Sequence, residues 1–183
     1  DAGVASSPDP YSIHWNPSKL AFAPKNMGLG ISYTPWLKAL VPDINLAYLG
    51  GYKRIDKNQT IGMSLLYFSL GNITFTDVVG NTIMDFDPSE YAIDLAYARK
   101  LSARFSGGMA LRYINSNLTG GVLVEGTTPS HPGRSVATDI SGYYQNDELE
   151  IAKKKAVLSA GLNISNIGAK ISYTSTGNRD FRS

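Results

Sequence analysis

The sequence predicts an all-β fold, an antiparallel transmembrane β-barrel preceded by an N-terminal hatch segment. Three observations predict it. Apolar side chains recur at every second position in successive segments, and the connections between those segments alternate short and long. No run approaches the roughly 18 apolar residues that a helical membrane span requires. The composition points the same way. Charged residues are 17% of the 183, below the ~25% usual in soluble domains, while Gly (18) and Tyr (11) suit turns and pleated surfaces.

The strands follow from counting. The first carries Met27, Leu29, Ile31 and Tyr33, separated by Gly28, Gly30 and Ser32. The second carries Ile44, Leu46 and Tyr48 against Asn45, Ala47, Gly51 and Lys53. The third has Ile61, Met63, Leu65 and Tyr67, and the fourth Tyr91, Ile93, Leu95 and Tyr97 against Ala92, Asp94, Ala96 and Ala98. The fifth has Phe105, Met109, Leu111 and Tyr113 against Arg104, Ser106, Ala110 and Arg112. A sixth is predicted from Ala156 to Asn166 and a seventh from Ala169 to Thr174. Period two means one apolar face per strand, and each segment is near the ~10 residues that cross a bilayer at a tilt.

Soluble sheets alternate in the same way, and the connections separate the two cases. Short links are predicted at 55–58, 101–103 and 167–168; long ones at 35–42, 71–89 and 117–155. Antiparallel strands place alternate connections at opposite ends of a sheet. One end therefore carries tight turns and the other long loops, the arrangement of outer-membrane barrels with periplasmic turns and external loops. On that orientation the first strand runs outward from Met27, and residues 1–26 lie on the periplasmic side or in the lumen. Within them, Asn16 followed by Pro17 reads as a short helix start ending before Pro24, since Asn caps free N–H groups and Pro tolerates the first helical position. Trp15, Leu20 and Phe22 indicate packing against a partner surface.

Several function classes fall away. The absence of Cys removes disulfides, Cys-ligated zinc and thiol catalysis. A net charge of +2 with no basic stripe argues against nucleic-acid binding. His14 and His131 lack a recognisable orienting carboxylate, so neither reads as a catalytic base. Asp77, Asp85 and Asp87 lack the ligand count and turn of a calcium loop and read as solvated acidity. No enzyme, metal or cofactor is expected. Asp94 and Arg112 fall on the predicted lumenal faces of neighbouring strands and are expected to pair.

The segments Asp1-Ala2-Gly3, Ser6-Ser7 and Asn16-Pro17-Ser18-Lys19-Leu20-Ala21 resemble the hatch of FadL-type outer-membrane barrels. Three further segments resemble one branch, the PorV (LptO) family of the Bacteroidetes type IX secretion system. They are Gly30-Ile31-Ser32-Tyr33-Thr34-Pro35-Trp36-Leu37, Asp43-Ile44-Asn45-Leu46-Ala47-Tyr48-Leu49 and Gly161-Leu162-Asn163-Ile164-Ser165-Asn166-Ile167-Gly168. The resemblance implies a barrel of about fourteen strands, of which residues 27–183 would supply the first half behind a hatch of residues 1–26. It further implies a multi-pass outer-membrane protein without enzymatic activity. Such a protein receives cargo bearing C-terminal signal domains at an SprA (Sov)-type translocon barrel and shuttles it to the surface attachment complex, amid outer-membrane lipid and lipopolysaccharide. The alternative is FadL-like transport of hydrophobic compounds, with Trp15, Phe22, Gly28, Gly30 and Gly62 lining a pocket beside the hatch.

Candidate functional residues divide accordingly. Trp15, Asn16, Pro17, Leu20 and Phe22 form the expected hatch. Trp36 and Leu37 in the first loop, and Tyr143 and Tyr144 in the loop 117–155, are either partner anchors or members of an interfacial aromatic girdle. Within that last loop, residues from Ser135 to Tyr144 read as an extra strand or hairpin. Lys153 to Lys155 read as a solvated strand end or a contact for anionic lipopolysaccharide.

Overall fold

The computed structural model describes residues 2–36, 43–77, 79–118, 120, 123–124, 128–151 and 153–173. Seven strands form one curled antiparallel sheet, half of a barrel wall. In chain order the strands are β1 (Met27–Pro35), β2 (Ile44–Arg54), β3 (Gln59–Leu70), β4 (Ile73–Thr76), β5 (Thr82–Phe86), β6 (Ser89–Lys100), β7 (Phe105–Asn117), β8 (Leu123–Val124), β9 (Thr128–Pro129), β10 (Gly133–Ile151) and β11 (Lys154–Gly168). The wall runs β1-β2-β3-β6-β7-β10-β11, with β4-β5 and β8-β9 as separate hairpins within long connections.

Register makes the alternation continuous across the wall. Tyr33 pairs with Ala47, Ala47 with Tyr67 and Tyr67 with Tyr91, so one parity of every strand shares one face. That face is convex and apolar: Leu29, Ile31, Met63, Leu95, Met109, Leu111 and Ile140 are all more than half exposed. The Tyr33–Tyr67–Tyr91 row borders it at the long-loop end, where Tyr91 and Tyr113 lie 6.3 Å apart. Tyr97, Phe105 and Tyr144 border it at the other end, Phe105 and Tyr144 as register partners. The opposite parity, including Gly62, Ser64, Asp94, Ala96, Ala110, Arg112 and Asp139, is small or polar and faces the concave side. In β2 this reverses the sequence expectation. Leu46 and Tyr48 point inward, while Ala47, Leu49 and Gly51 share the convex face.

The last two wall strands differ from expectation. The predicted loop 117–155 contains β10, a 19-residue strand that is the sixth of the wall. The predicted sixth strand is therefore the seventh, and residues 169–173 are not a strand but cross back over the loop end. There the Ser135 hydroxyl donates to the Ala169 carbonyl (2.6 Å) and the His131 N–H to the Tyr173 carbonyl (3.0 Å). The physical reason lies in the side chains. Ser135, Asp139 and Ser141 face inward, and Arg134 and Thr138 interrupt the outward apolar face. The extra strand expected from Ser135 to Tyr144 is therefore present, but its alternation is too weak to mark its full length or its place in the wall. Its unbroken pairing with β7 from Gly133 to Tyr144 defines it instead.

Short and long connections still alternate: 36–43, 71–88 and 118–132 are long, and 55–58, 101–104 and 152–153 are short. Lys153 to Lys155 consequently lie at the tight-turn end rather than in an external loop. Gln145 N–H donates to the Arg104 carbonyl at the level of the neighbouring turn, and the β10–β11 hairpin continues six residues further to Ile151. Its turn places Lys153 at φ 64°, a left-handed conformation costing an L-residue with a Cβ about 1–2 kcal/mol. Lys153→Gly is expected to raise unfolding free energy by about 0.5–1 kcal/mol, after allowance for the flexibility Gly adds to the unfolded chain, as measured by urea titration in detergent.

Candidate functional site

The N-terminal segment fills the concave face. A 3-10 turn (Ala2–Val4), one α-helical turn (α1, Ser12–Trp15) and a 3-10 helix (Pro17–Phe22) follow one another before β1. The expected helix start is present, with the Asn16 side chain accepting from Ser18 N–H, Pro17 in the first turn and the end at Ala23 before Pro24. It is a 3-10 rather than an α-helix, and the sequence reading did not foresee α1. Asp9 and Ser12 open α1: Asp9 N–H donates to Ser12 Oγ, and the Ser12 hydroxyl donates to Asp9 Oδ1, both at 3.0 Å.

Inward glycines let the segment come close. A Cβ on Gly108 would lie 2.4 Å from the Ser18 nitrogen, and one on Gly161 2.2 Å from the Val4 carbonyl. Gly62 receives Ile13 and Leu20, which are fully buried with Ala96, Ala98 and Ala110 from β6 and β7. The contacts that fix this packing are mostly neutral hydrogen bonds. Asn16 Nδ2 donates to the Val4 and Gly142 carbonyls at 2.9 and 3.1 Å. Ser18 N–H also meets Ser141 Oγ (3.1 Å), and the Ser106 hydroxyl donates to the Ser18 carbonyl (2.8 Å). On the other flank, the Tyr11 hydroxyl donates to the Ile31 carbonyl (2.9 Å) and the Tyr48 hydroxyl to the Pro10 carbonyl (3.1 Å). Lys19 is buried and folds back, its ammonium donating to the Gly3 carbonyl and Ser6 Oγ at 2.8 and 2.9 Å. Burial lowers its pKa, a shift that nearby Asp9 partly opposes.

A charged cluster lies in the wall beyond α1. Arg112 bonds Asp94 through Nε (2.6 Å), Asp139 through one terminal nitrogen (3.2 Å) and Asn166 Oδ1 through the other (2.7 Å). Ser64 donates to the second Asp94 oxygen (2.9 Å), and Asn166 N–H to the second Asp139 oxygen (2.8 Å). Four strands are thus joined by one guanidinium whose donors and carboxylates are satisfied, the condition under which buried charges are tolerated. The expected Asp94–Arg112 pair is present. Asp139 is not legible as a partner, because the extra strand or hairpin read from Ser135 to Tyr144 carries no register against the strand of Arg112. Asn166 was missed because its role depends on a left-handed backbone (φ 59°) beside a β-bulge, which no sequence pattern announces.

A cleft of about 420 Å³ opens between this cluster and the long-loop end. Its walls include Trp36, Leu46, Leu66, Phe68 and Ile114; His14, Glu90, Asp94 and Arg112 also line it. Burial lowers the His14 pKa, Arg112 lowers it further, and Asp94 and Asp139 oppose the shift.

The sequence-predicted residues fall into separate places. Asn16, Pro17 and Leu20 are buried against the wall. Trp15 covers Gly3 and meets His14 edge-on at 4.9 Å, and Phe22 packs on Tyr143 at 5.8 Å beneath the Lys100 ammonium. Tyr143 and Tyr144 are not in a loop. They are adjacent residues of β10, so Tyr143 faces inward and is buried, and Tyr144 faces outward beside Phe105. Trp36 is exposed at the end of β1, and Leu37 lies outside the described residues.

Compared with known proteins, residues 1–183 match the family model described as type IX secretion system protein PorV. The chain belongs to the PorV family. No curated protein matches it in a sequence search. In this PorV-family chain the small inward residues and the N-terminal segment that occupies them constitute the candidate functional site.

Two outcomes are expected. Gly108→Val forces Ser18 off the wall, with a loss of about 1–3 kcal/mol and faster proteolytic cleavage within residues 2–26, read by mass spectrometry of the fragments. His14 is held neutral in the folded chain, so its stabilising contribution is complete above its unfolded pKa of ~6.5 and lost as pH falls through the lower folded value. Cleavage of the segment should therefore accelerate below pH ~6.5, and His14→Gln should flatten that profile.

Proposed function

We propose that this chain is an outer-membrane β-barrel component of the type IX secretion system. It receives secreted cargo through C-terminal signal domains at an SprA (Sov)-type translocon and passes it to the surface attachment complex. Family membership across the whole chain supports the assignment to the secretion system. The apolar convex face between two aromatic rows supports residence in a bilayer, where a closed barrel satisfies all backbone groups. The residues of the N-terminal segment act as a hatch in this reading, because they occupy the lumenal side of the wall through Asn16, Pro17, Leu20 and Phe22. Catalysis has no part in the proposal; the long connections supply the partner surface.

A second reading, uptake of hydrophobic compounds, is favoured by the cleft walled by Trp36, Leu46, Leu66, Phe68 and Ile114. The two are separated by binding. Detergent-solubilised protein is expected to retain a purified C-terminal signal domain in a pull-down, and an excess of fatty acid should not displace it. Saturable fatty-acid uptake by proteoliposomes without signal-domain retention would overturn the shuttle in favour of transport.

A further inference from the structure

Charge is distributed unequally between the two ends of the wall. Among the described residues, the tight-turn end carries ten basic side chains against four acidic ones. The long-loop end carries five acidic side chains, Asp43, Asp77, Asp85, Asp87 and Glu90, against Arg134 and Lys170. Three of the basic residues stand at the lower edge of the apolar band. Lys53 lies in the outward row formed with Met27, Ile61 and Tyr97. Arg99 is one outward step beyond Tyr97 on the same strand, and Lys57 occupies the adjoining turn. All three are exposed, and Lys53 and Lys57 make no ion pair among the described residues.

The neighbouring acid, Asp56, offsets only part of this charge, interacting with Arg99. Asp56 has its oxygens committed to its own turn, accepting from the backbone of Asn58 (2.7 Å) and Gln59 (2.9 Å) and from the Gln59 side chain. The result is a cationic edge directly below the outward-facing Tyr97, the arrangement in which basic side chains reach past an apolar band to its polar border.

We infer that this edge binds the anionic headgroups of phospholipids in the leaflet on the tight-turn side. The inference rests on the bilayer reading above and names the lipid chemistry that reading leaves open. A phosphodiester is the matching group because ammonium and guanidinium donors are presented at the depth of the lipid phosphates, immediately beyond the aromatic row. The acidic long-loop end has no such edge, which assigns the preference to one leaflet.

The test is native mass spectrometry of the detergent-solubilised protein with equimolar phosphatidylglycerol and phosphatidylcholine. The natural protein should retain phosphatidylglycerol preferentially. The triple variant Lys53→Gln, Lys57→Gln, Arg99→Gln should lose that preference, at about five-fold in affinity per side chain removed. The variant Lys53→Arg, Lys57→Arg should keep it, and so should Arg134→Gln on the opposite edge. Excess inorganic phosphate should not displace the lipid; complete displacement would assign the edge to free phosphate and overturn the inference. Equal retention of both lipids by the natural protein, or an unchanged preference in a folded triple variant, would also overturn it. A protein that stays monomeric in water without detergent would instead overturn the bilayer reading, so the two failures are distinguishable.

Discussion

The distance between the N-terminal segment and the wall is the constraint on which the rest of the structure depends. Gly108 and Gly161 admit backbone at separations no Cβ would allow, and Gly62 admits the side chains of Ile13 and Leu20. Close approach lets Asn16 and Ser18 exchange hydrogen bonds with β7 and β10. It also removes water from the contact itself, where Asn16, Ser18 and Ser106 find protein partners. The short helical elements supply such partners within a few residues, since each turn leaves its carbonyls and N–H groups near the wall.

The same constraint explains the charge cluster. Below the N-terminal segment the wall carries alanine, serine and glycine, whose side chains are too small to tie strands together. Arg112 does this instead, reaching Asp94, Asp139 and Asn166 across β6, β10 and β11. Mostly neutral hydrogen bonds hold the segment to the wall, joined by Arg54 at the Ala23 carbonyl and Lys100 over Phe22, whereas a buried ion-pair cluster ties four strands of the wall together.

The outer face follows from parity alone. Once small and polar residues are directed inward, apolar ones are directed outward, and the tyrosine rows mark where that apolar surface ends. Charge then distinguishes the two ends. A structure built for a uniform solvent has no use for an apolar belt between a basic edge and an acidic one, whereas a bilayer presents hydrocarbon, phosphate and water in sequence.

Much of this was legible in the residues themselves. Strong alternation located β1, β3, β6 and β7, because a half-buried strand records its two environments at every second position. Asn16-Pro17 located the start of the 3-10 helix, and the parity of Asp94 and Arg112 located their pairing. The β10 strand was legible only in part: residues from Ser135 to Tyr144 read as an extra strand or hairpin, but inward serines and an aspartate weaken its apolar period. Only pairing with β7 shows that it runs from Gly133 to Ile151 as a strand of the wall. The inward turn of Tyr48 and Tyr143 was likewise decided by tertiary structure. Their rings fill space left by Tyr11 and Phe22, and a sequence does not record which face a plug will cover. Local pattern therefore determined that the chain forms an amphipathic antiparallel wall. Contact with its own first residues decided which face became the lumen and which partners its buried charges found.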